Sequence, residues 1–324
     1  MTVRLHMKNK AFYSLFLGAT IIVGSIGASH LLSSSTTKEA EDISHQEKFQ
    51  RDYNIYSLTI PEKVSLAGEE VPLQMVDVRE KLDRELLVNT YWQSNMLLYI
   101  KRSKKWFPVI EPILKEEGVP EDFKYLALIE SGLTPVVSPA GAEGFWQIME
   151  ETGKELGLEI NSEVDERYHV EKATRAACKY LKDAHEKYNN WTLAAASYNM
   201  GKTGLDRQLD RQQVENYYDL LLNEETARYI FRLLSAKLIL AQPEAYGFKF
   251  RSKDLWHQIE TKTLTVDTAI DNLATFAKDH EINYKVLKNL NPWLRRNHLT
   301  NSRGKTYEIK VPTQEAIHLV TRQN

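Results

Sequence analysis

The sequence predicts a mostly α protein, in which a helical main domain is followed by a small α+β module. Along residues 76–242, apolar residues recur at spacings of three and four, which is typical of helices that bury one face. After Pro243 the pattern changes to strand, helix, helix, strand, and the alternating run YEIKVP indicates the last strand. With 324 residues, the chain is long enough to bury one or two hydrophobic cores.

The N-terminal residues predict a membrane anchor. Arg4, Lys8 and Lys10 precede an uncharged run over residues 11–32, and about 20 apolar residues suffice to span a bilayer. Basic residues before such a run favour a cytoplasmic N-terminus and an exported remainder. We expect residues 1–32 to form an uncleaved signal anchor; a signal peptide cleaved near residues 27–29 is the alternative. No cysteine lies near residue 30, which excludes a lipoprotein anchor.

The composition along the chain suggests the remaining boundaries. Residues 33–50 are polar and almost free of large apolar side chains, which predicts a linker over residues 33–59. Residues 60–94 read as an extended lead-in, broken by Pro and Gly, and a first helix. We expect the main domain at residues 95–242 and the α+β module at residues 255–314.

The charge and the cysteine count exclude some classes of function. A net charge of −2 argues against a nucleic-acid partner, which usually requires a basic face. The single cysteine, Cys178, lies in a helical pattern and is expected to be a packing residue. The 9 histidines form no cluster with ligand spacing, so we expect no metal site.

A carboxylate ends one of the predicted helices. In FKYLALIE, Glu130 follows Phe123, Leu126 and Ala127 on one helical face, and that apolar face is expected to be buried. Desolvation at such a place raises the pKa of a carboxyl group, and a carboxylic acid that stays protonated near neutral pH can act as a general acid. On the helix pattern alone, an exposed and inactive Glu at a helix end is the more frequent case.

A loop with four turn-forming residues follows this helix. Gly132 is expected to end the helix, and two prolines and two glycines fix the turns beyond it: Pro135, Pro139, Gly141 and Gly144. Such a loop can form one wall of a cleft above Glu130.

Four motifs resemble those of one enzyme family. ALIESG, SPAGAEGFWQIM, AASYNMG and EETARYIFRLL follow one another over about 100 residues. In this order and spacing they resemble the family 1 lytic transglycosylases, especially the membrane-bound type D enzymes. The resemblance covers about residues 95–240 and implies a lysozyme-like (SLT) helical domain of the goose type. It also implies a location on the periplasmic side of the cell envelope.

The resemblance assigns roles to eight residues. Glu130 matches the single catalytic acid and base, and Ser131 follows it as a support of the helix end. The remaining six match residues that line the cleft or contact the substrate: Ser138, near the N-acetyl group of the reacting sugar, Gln147, Met149, Tyr198, Asn199 and Tyr229.

The chain departs from the family pattern at a few positions. Phe145 and Trp146 stand where the family has Leu-Met, which predicts an altered sugar platform, although both residues also suit a core. Glu150 stands in place of a usual proline, and Ser197 replaces an alanine. These changes leave every group that the chemistry requires in place.

The C-terminal module resembles a LysM domain, a type of module that binds polymers of N-acetylglucosamine. LATFAKDHEINYKVLKNLNP followed by YEIKVP carries the likeness, while the opening strand lacks the usual Gly-Asp-Thr.

The resemblance also implies a reaction. Glu130 protonates the glycosidic oxygen between N-acetylmuramic acid and N-acetylglucosamine, then removes the C6 hydroxyl proton, and a 1,6-anhydro end results without metal or cofactor. The expected partners are peptidoglycan glycan strands and, through the N-terminal segment, the membrane. Two alternatives stay open: a muramidase that uses water and a second carboxylate, and a non-catalytic wall-binding protein.

Overall fold

The computed structural model describes residues 40, 42–44, 47–48 and 55–321. The membrane anchor expected at residues 1–32 lies outside them. No helix within the described ranges is both long enough and apolar enough to cross a membrane. In the expected linker, the described residues between 40 and 48 are helical. The chain divides after Ser57 into two units, and the elements between residues 58 and 324 belong to the unit that begins at Leu58.

The mostly helical fold class is confirmed. A short hairpin of two strands, β1 and β2, opens the unit, and eight α-helices follow it before Pro243. The strands are Ser65–Leu66 and Glu69–Glu70, and the helices are α1 Val76–Tyr91, α2 Gln93–Glu116, α3 Lys124–Ser131, α4 Glu150–Glu155, α5 Val170–Tyr188, α6 Trp191–Met200, α7 Lys202–Gln212 and α8 Glu224–Ala241.

The lead-in belongs to the main core. Val64, Leu66, Val71 and Leu73 are buried in the same hydrophobic cluster as the helices. The hairpin is also tied to the far side of the domain, because the Glu69 carboxylate accepts hydrogen bonds at the start of α6. The lead-in therefore lies on the domain.

Helix α3 occupies the interior of the domain. Five consecutive residues, Tyr125 to Ile129, are buried, and α3 packs against α2 and α8. The sequence predicts one buried face, whereas the structure surrounds almost the whole helix. The reason is its length: a helix of 8 residues can be covered on all sides by longer neighbours.

The C-terminal module has the predicted order of elements. Strand β3 (Thr261–Val266) is followed by helix α9 (Leu273–Asp279), helix α10 (Tyr284–Leu290) and strand β4 (Tyr307–Pro312). The two strands pair antiparallel along their full length. Leucines of both helices and apolar residues of β4 form a second hydrophobic core.

Candidate active site

The end of helix α3 places Glu130 beside helix α8. Gly132 ends α3 in the left-handed conformation, with φ of 61°, which glycine adopts without steric cost. Tyr229, on the buried face of α8, donates a hydrogen bond from its hydroxyl to Glu130 Oε1. The carboxylate of the half-buried Glu130 is thus held by a phenol that belongs to the core of the domain.

Burial controls the protonation of Glu130. Desolvation raises the pKa of this carboxyl group above the usual value of 4.5, while the hydrogen bond from Tyr229 and the positive charge of Arg232 act in the opposite direction. Desolvation is the larger effect, so the net shift is upward. A second carboxylate, Glu225, adds to the upward shift through like-charge repulsion. The site therefore favours a protonated Glu130.

Tyr198 lies near Glu130 but bonds elsewhere. Its hydroxyl donates to the backbone carbonyl of Trp146 over 2.7 Å, and its ring packs edge-on against Tyr180. Burial raises the pKa of Tyr198 well above its usual value, and the charge of Glu130 adds to the effect. Tyr198 therefore stays a neutral phenol, and its hydroxyl links α6 to the loop that follows α3. Its neighbour Asn199 is partly exposed at the end of α6.

Residues 133–149 form a loop, the cleft loop, that packs against the end of α3. Ser131 attaches this loop to the helix, because its hydroxyl donates to Phe145 O over 2.7 Å and accepts from Leu133 N. Ser138 closes a turn within the loop by accepting a hydrogen bond from Ala142 N at 2.9 Å. Ser131 therefore links the end of α3 to the cleft loop.

Gln147 and Met149 end the cleft loop. Gln147 adopts a positive φ of 47°, and its side-chain amide donates to Val136 O and Gly144 O. Both donors of the amide therefore hold the loop, which leaves the carbonyl oxygen as the free acceptor of this side chain. Met149 is 45% exposed, so its thioether reaches solvent.

Phe145 and Trp146 do not form a sugar platform. They are 2% and 0% exposed, and Trp146 donates its ring N–H to the Thr174 hydroxyl at 2.9 Å. Phe145 packs edge-on against Trp106. The altered platform predicted from this pair is therefore wrong, because both rings fill the core beneath the cleft loop.

The structure brings together further residues to which the sequence motifs assign no role. A cavity of about 180 Å³ lies beside Ile129, and Trp92, Asn95, Glu225 and Arg232 are among the residues that line it. Arg232 donates one hydrogen bond to Ile129 O at 3.1 Å. Trp92 is 59% exposed at the junction of α1 and α2. Glu225 and Arg232 lie within the motif EETARYIFRLL, and their helical spacing from Tyr229 on α8 is the signal that could have indicated them.

Two protein-family models match this chain. The family described as "Transglycosylase SLT domain" matches residues 107–221. The family described as "Soluble lytic transglycosylase C-terminal LysM-like domain" matches residues 262–315.

Two curated relatives extend the comparison. Both are named membrane-bound lytic murein transglycosylase D, one from Escherichia coli strain K12 and one from E. coli O6:H1 strain CFT073, and each is 25% identical over 261 residues. The match covers 78% of this chain and 56% of each relative, so the chain spans about half the length of the relatives it matches.

A solved structure also has a detectable likeness. It is an inactive mutant of the lytic transglycosylase Slt from Pseudomonas aeruginosa, at 19% identity, with 53% of this chain and 34% of that chain covered. The TM-score is 0.35.

Proposed function

We propose that this chain, which carries a transglycosylase SLT domain and a C-terminal LysM-like domain, is a lytic transglycosylase of peptidoglycan. One observation carries the proposal: Glu130, with a pKa raised by burial, is held by the Tyr229 hydroxyl at the end of an interior helix. A general acid needs a proton to give near the working pH, and this environment supplies it.

The proposed reaction uses Glu130 twice. Protonated Glu130 gives its proton to the glycosidic oxygen between N-acetylmuramic acid and N-acetylglucosamine, and that bond breaks. The resulting carboxylate then takes the proton of the C6 hydroxyl, whose oxygen closes on C1 to give the 1,6-anhydro end. Tyr229 supports the second step, because its hydrogen bond favours the ionised carboxylate.

The cleft loop offers two groups to the substrate. The Ser138 hydroxyl accepts a hydrogen bond from Ala142, so its own proton remains for a substrate carbonyl such as that of the acetamido group. The Gln147 amide uses its donors on the loop, so its oxygen remains for a substrate N–H or O–H. These complementary groups suit an N-acetyl sugar. Met149, Tyr198 and Asn199 complete the proposed binding residues.

A hydrolytic muramidase is the second candidate. Glu225 is close enough to Glu130 to raise its pKa, and a hydrolytic enzyme requires a second carboxylate. One observation argues against this candidate: Glu225 lines the same cavity as Arg232. A carboxylate that neighbours a cation is poorly placed to act as a general base. The two reactions differ by one water in their products.

The names of the curated relatives and the N-terminal sequence support a location in the cell envelope. The curated relatives are named membrane-bound murein enzymes, and a location in the cell envelope agrees with the charged and apolar pattern of residues 1–32. We propose that residues 1–32 anchor the protein on the periplasmic side and that the LysM-like module binds the glycan strands.

The experiment compares the wild-type protein with Glu130→Gln on purified peptidoglycan, with product masses as the readout. We expect 1,6-anhydro products, one water lighter than hydrolysed ones, and none from Glu130→Gln. Glu150→Gln is the matched control, since Glu150 is an exposed residue paired with Lys154, and it should retain full activity. Hydrated reducing ends would assign the muramidase reaction, and binding without product would contradict both enzymes.

A further inference from the structure

Residues 163–168 contact the C-terminal module on one side and the cleft loop on the other. They lie between the cleft loop and helix α5, and residues 164–168 are all buried. Because one short segment contacts both parts, a change in the packing of the module can alter the conformation of the cleft loop.

The contact with the module begins with backbone hydrogen bonds. Asp165 N donates to Trp293 O at 2.9 Å, and Arg295 N donates to Glu163 O at 2.7 Å. Between these two bonds, Val164 forms an antiparallel bridge with the module. The segment therefore pairs with the module as an additional short strand would.

Side chains reinforce this pairing. Val164 and Tyr168 are members of the module's own hydrophobic core, and the Arg295 guanidinium lies 3.9 Å from the centre of the Tyr168 ring. The Glu163 carboxylate accepts hydrogen bonds from both the backbone and the hydroxyl of Thr300, at 2.7 Å each. Without the segment, the core of the module would be incomplete.

An ion pair adds a charged contact at the edge of the same interface. Lys310 on β4 pairs with Glu171 in the first turn of α5. Burial alone would raise the pKa of Glu171, but hydrogen bonds from His169 and Lys310 outweigh it and lower the pKa to about 2. Glu171 is therefore ionised at neutral pH and attracts Lys310.

On its other side, the segment holds the cleft loop through Arg167. This side chain is 4% exposed and pairs with Asp165 at 2.7 Å. Its remaining N–H groups reach Glu143 Oε1 at 3.1 Å, and Gly141 O and Ile148 O at 3.3 and 3.4 Å. One guanidinium thus contacts three separate points of the cleft loop.

The backbone of the segment also fits closely against the loop. A Cβ added to Gly144 would lie 2.0 Å from Arg167 O, which leaves space for glycine alone. The loop cannot shift toward the segment, and Arg167 prevents it from moving away.

We propose that the C-terminal module supports the cleft loop through residues 163–168, with Arg167 as the positioning residue, in addition to any glycan that the module binds. The proposal rests on the proposed function, because it concerns the loop that carries Ser138, Gln147 and Met149. A misplaced loop lowers the rate of the chemical step, since small displacements of positioning groups cost up to about 100-fold.

The first test weakens the interface between the module and helix α5 by reversing one charge. Lys310→Glu places a like charge against Glu171, whereas Lys262→Glu makes the same change on an exposed residue of the neighbouring strand β3. We expect faster amide hydrogen exchange at Ser138, Glu143, Gly144 and Ile148, whose N–H groups bond within the loop, in Lys310→Glu and not in Lys262→Glu. Equal exchange in both variants would overturn the proposal.

The second test concerns Arg167 and uses a short soluble peptidoglycan tetrasaccharide, so that tethering of long strands by the module does not contribute. Arg167→Ala should lower kcat by about 10- to 100-fold with a smaller change in KM. Arg167→Lys should recover part of the rate, because it keeps the charge but reaches fewer acceptors. Lys237→Met, which removes a half-buried ion pair with Asp122, controls for lost stability and should keep the kcat.

The outcomes separate this proposal from the proposed function. An inactive wild-type protein on peptidoglycan would contradict the function itself. An active wild-type protein, with Arg167→Ala retaining the full kcat while folded, would contradict the support of the loop and leave the function intact.

Discussion

The Tyr229 hydroxyl donates a hydrogen bond to Glu130 Oε1 and joins helix α8 to the end of helix α3. Tyr229 is 1% exposed, so the bond forms where solvent does not compete. This hydrogen bond offsets part of the effect of desolvation and limits the rise in the pKa of Glu130. In the proposed reaction, this phenol helps Glu130 to lose its proton as well as to give it.

Removal of this phenol should change the pH dependence of the reaction. In Tyr229→Phe, the carboxylate loses a hydrogen bond that favours its ionised form, so the pKa of Glu130 rises further. A hydrogen bond to a charged group is worth about 1.5–3 kcal/mol, so the limb of the pH–rate profile that reports Glu130 should move clearly to higher pH.

The matched control for this shift is Tyr217→Phe. The Tyr217 hydroxyl donates to backbone carbonyls of Thr226 and Ala227 in α8, so its loss affects stability without a direct contact to Glu130. An unchanged profile in Tyr229→Phe, or the same shift in Tyr217→Phe, would contradict the role given to the bond.

The buried carboxyl group should make the wild-type protein less stable as the pH rises. Because the pKa of Glu130 is raised above 4.5 in the folded state, the native protein binds the proton more tightly than the unfolded chain. Its stabilising contribution is complete below pH 4.5 and is lost as the pH rises through the folded-state pKa. Glu130→Gln should therefore gain in Tm over the wild-type protein as the pH increases.

Thermal unfolding over a pH series measures this difference. Glu150→Gln serves as the comparison, because a hydrogen bond from Lys154 lowers the pKa of Glu150, and the sign of its contribution is opposite. A Tm advantage of Glu130→Gln that stays constant with pH would show that the carboxyl group does not titrate as expected.

Gly144→Ala should destabilise the cleft loop. The new methyl group meets Arg167 O in the backbone, and φ at this position is +81°, so conformational strain and overlap add together. We expect a loss of at least about 2 kcal/mol in the free energy of unfolding, measured in urea. Gly157→Ala separates the two causes, since its φ is +96° and no atom lies within 4 Å; it should lose only about 1 kcal/mol.

Trp92→Ala should weaken substrate binding at little cost in stability. The ring is 59% exposed and lines the cavity beside Ile129, where an aromatic face can stack on a sugar or a peptide. We expect KM for peptidoglycan strands to rise about fivefold to tenfold, equivalent to roughly 1–1.4 kcal/mol, with kcat unchanged. Trp256→Ala, at 43% exposure outside this cavity, should leave KM as it is.

The sequence predicts the fold class and the order of elements because the signals are local. Helical periodicity, the glycine that ends α3 and the alternation in YEIKVP each depend on a few neighbouring residues. The burial of Glu130 follows from the same periodicity. The proposed roles of Ser138, Gln147, Met149, Tyr198 and Asn199 in substrate binding stay predictions.

The features that the sequence did not predict depend on contacts between residues that are distant along the chain. Phe145 and Trp146 lie in the core because helices α2 and α5 supply Trp106 and Thr174 as partners, and no local pattern specifies that. Arg232 enters the site only through the packing of α8 on α3. Long-range packing decides whether an aromatic or a cation faces solvent, substrate or core.

The shared core of the C-terminal module limits how this protein can be divided. Val164 and Tyr168 are encoded about a hundred positions before the module they complete. A chain shortened to residues 1–255 would expose their apolar surface, and the module transplanted alone would lack two of its packing residues. Recombination that exchanges whole domains meets the same obstacle, so we expect the main domain and the module to be inherited together. We also expect them to unfold in a single transition, which calorimetry would record.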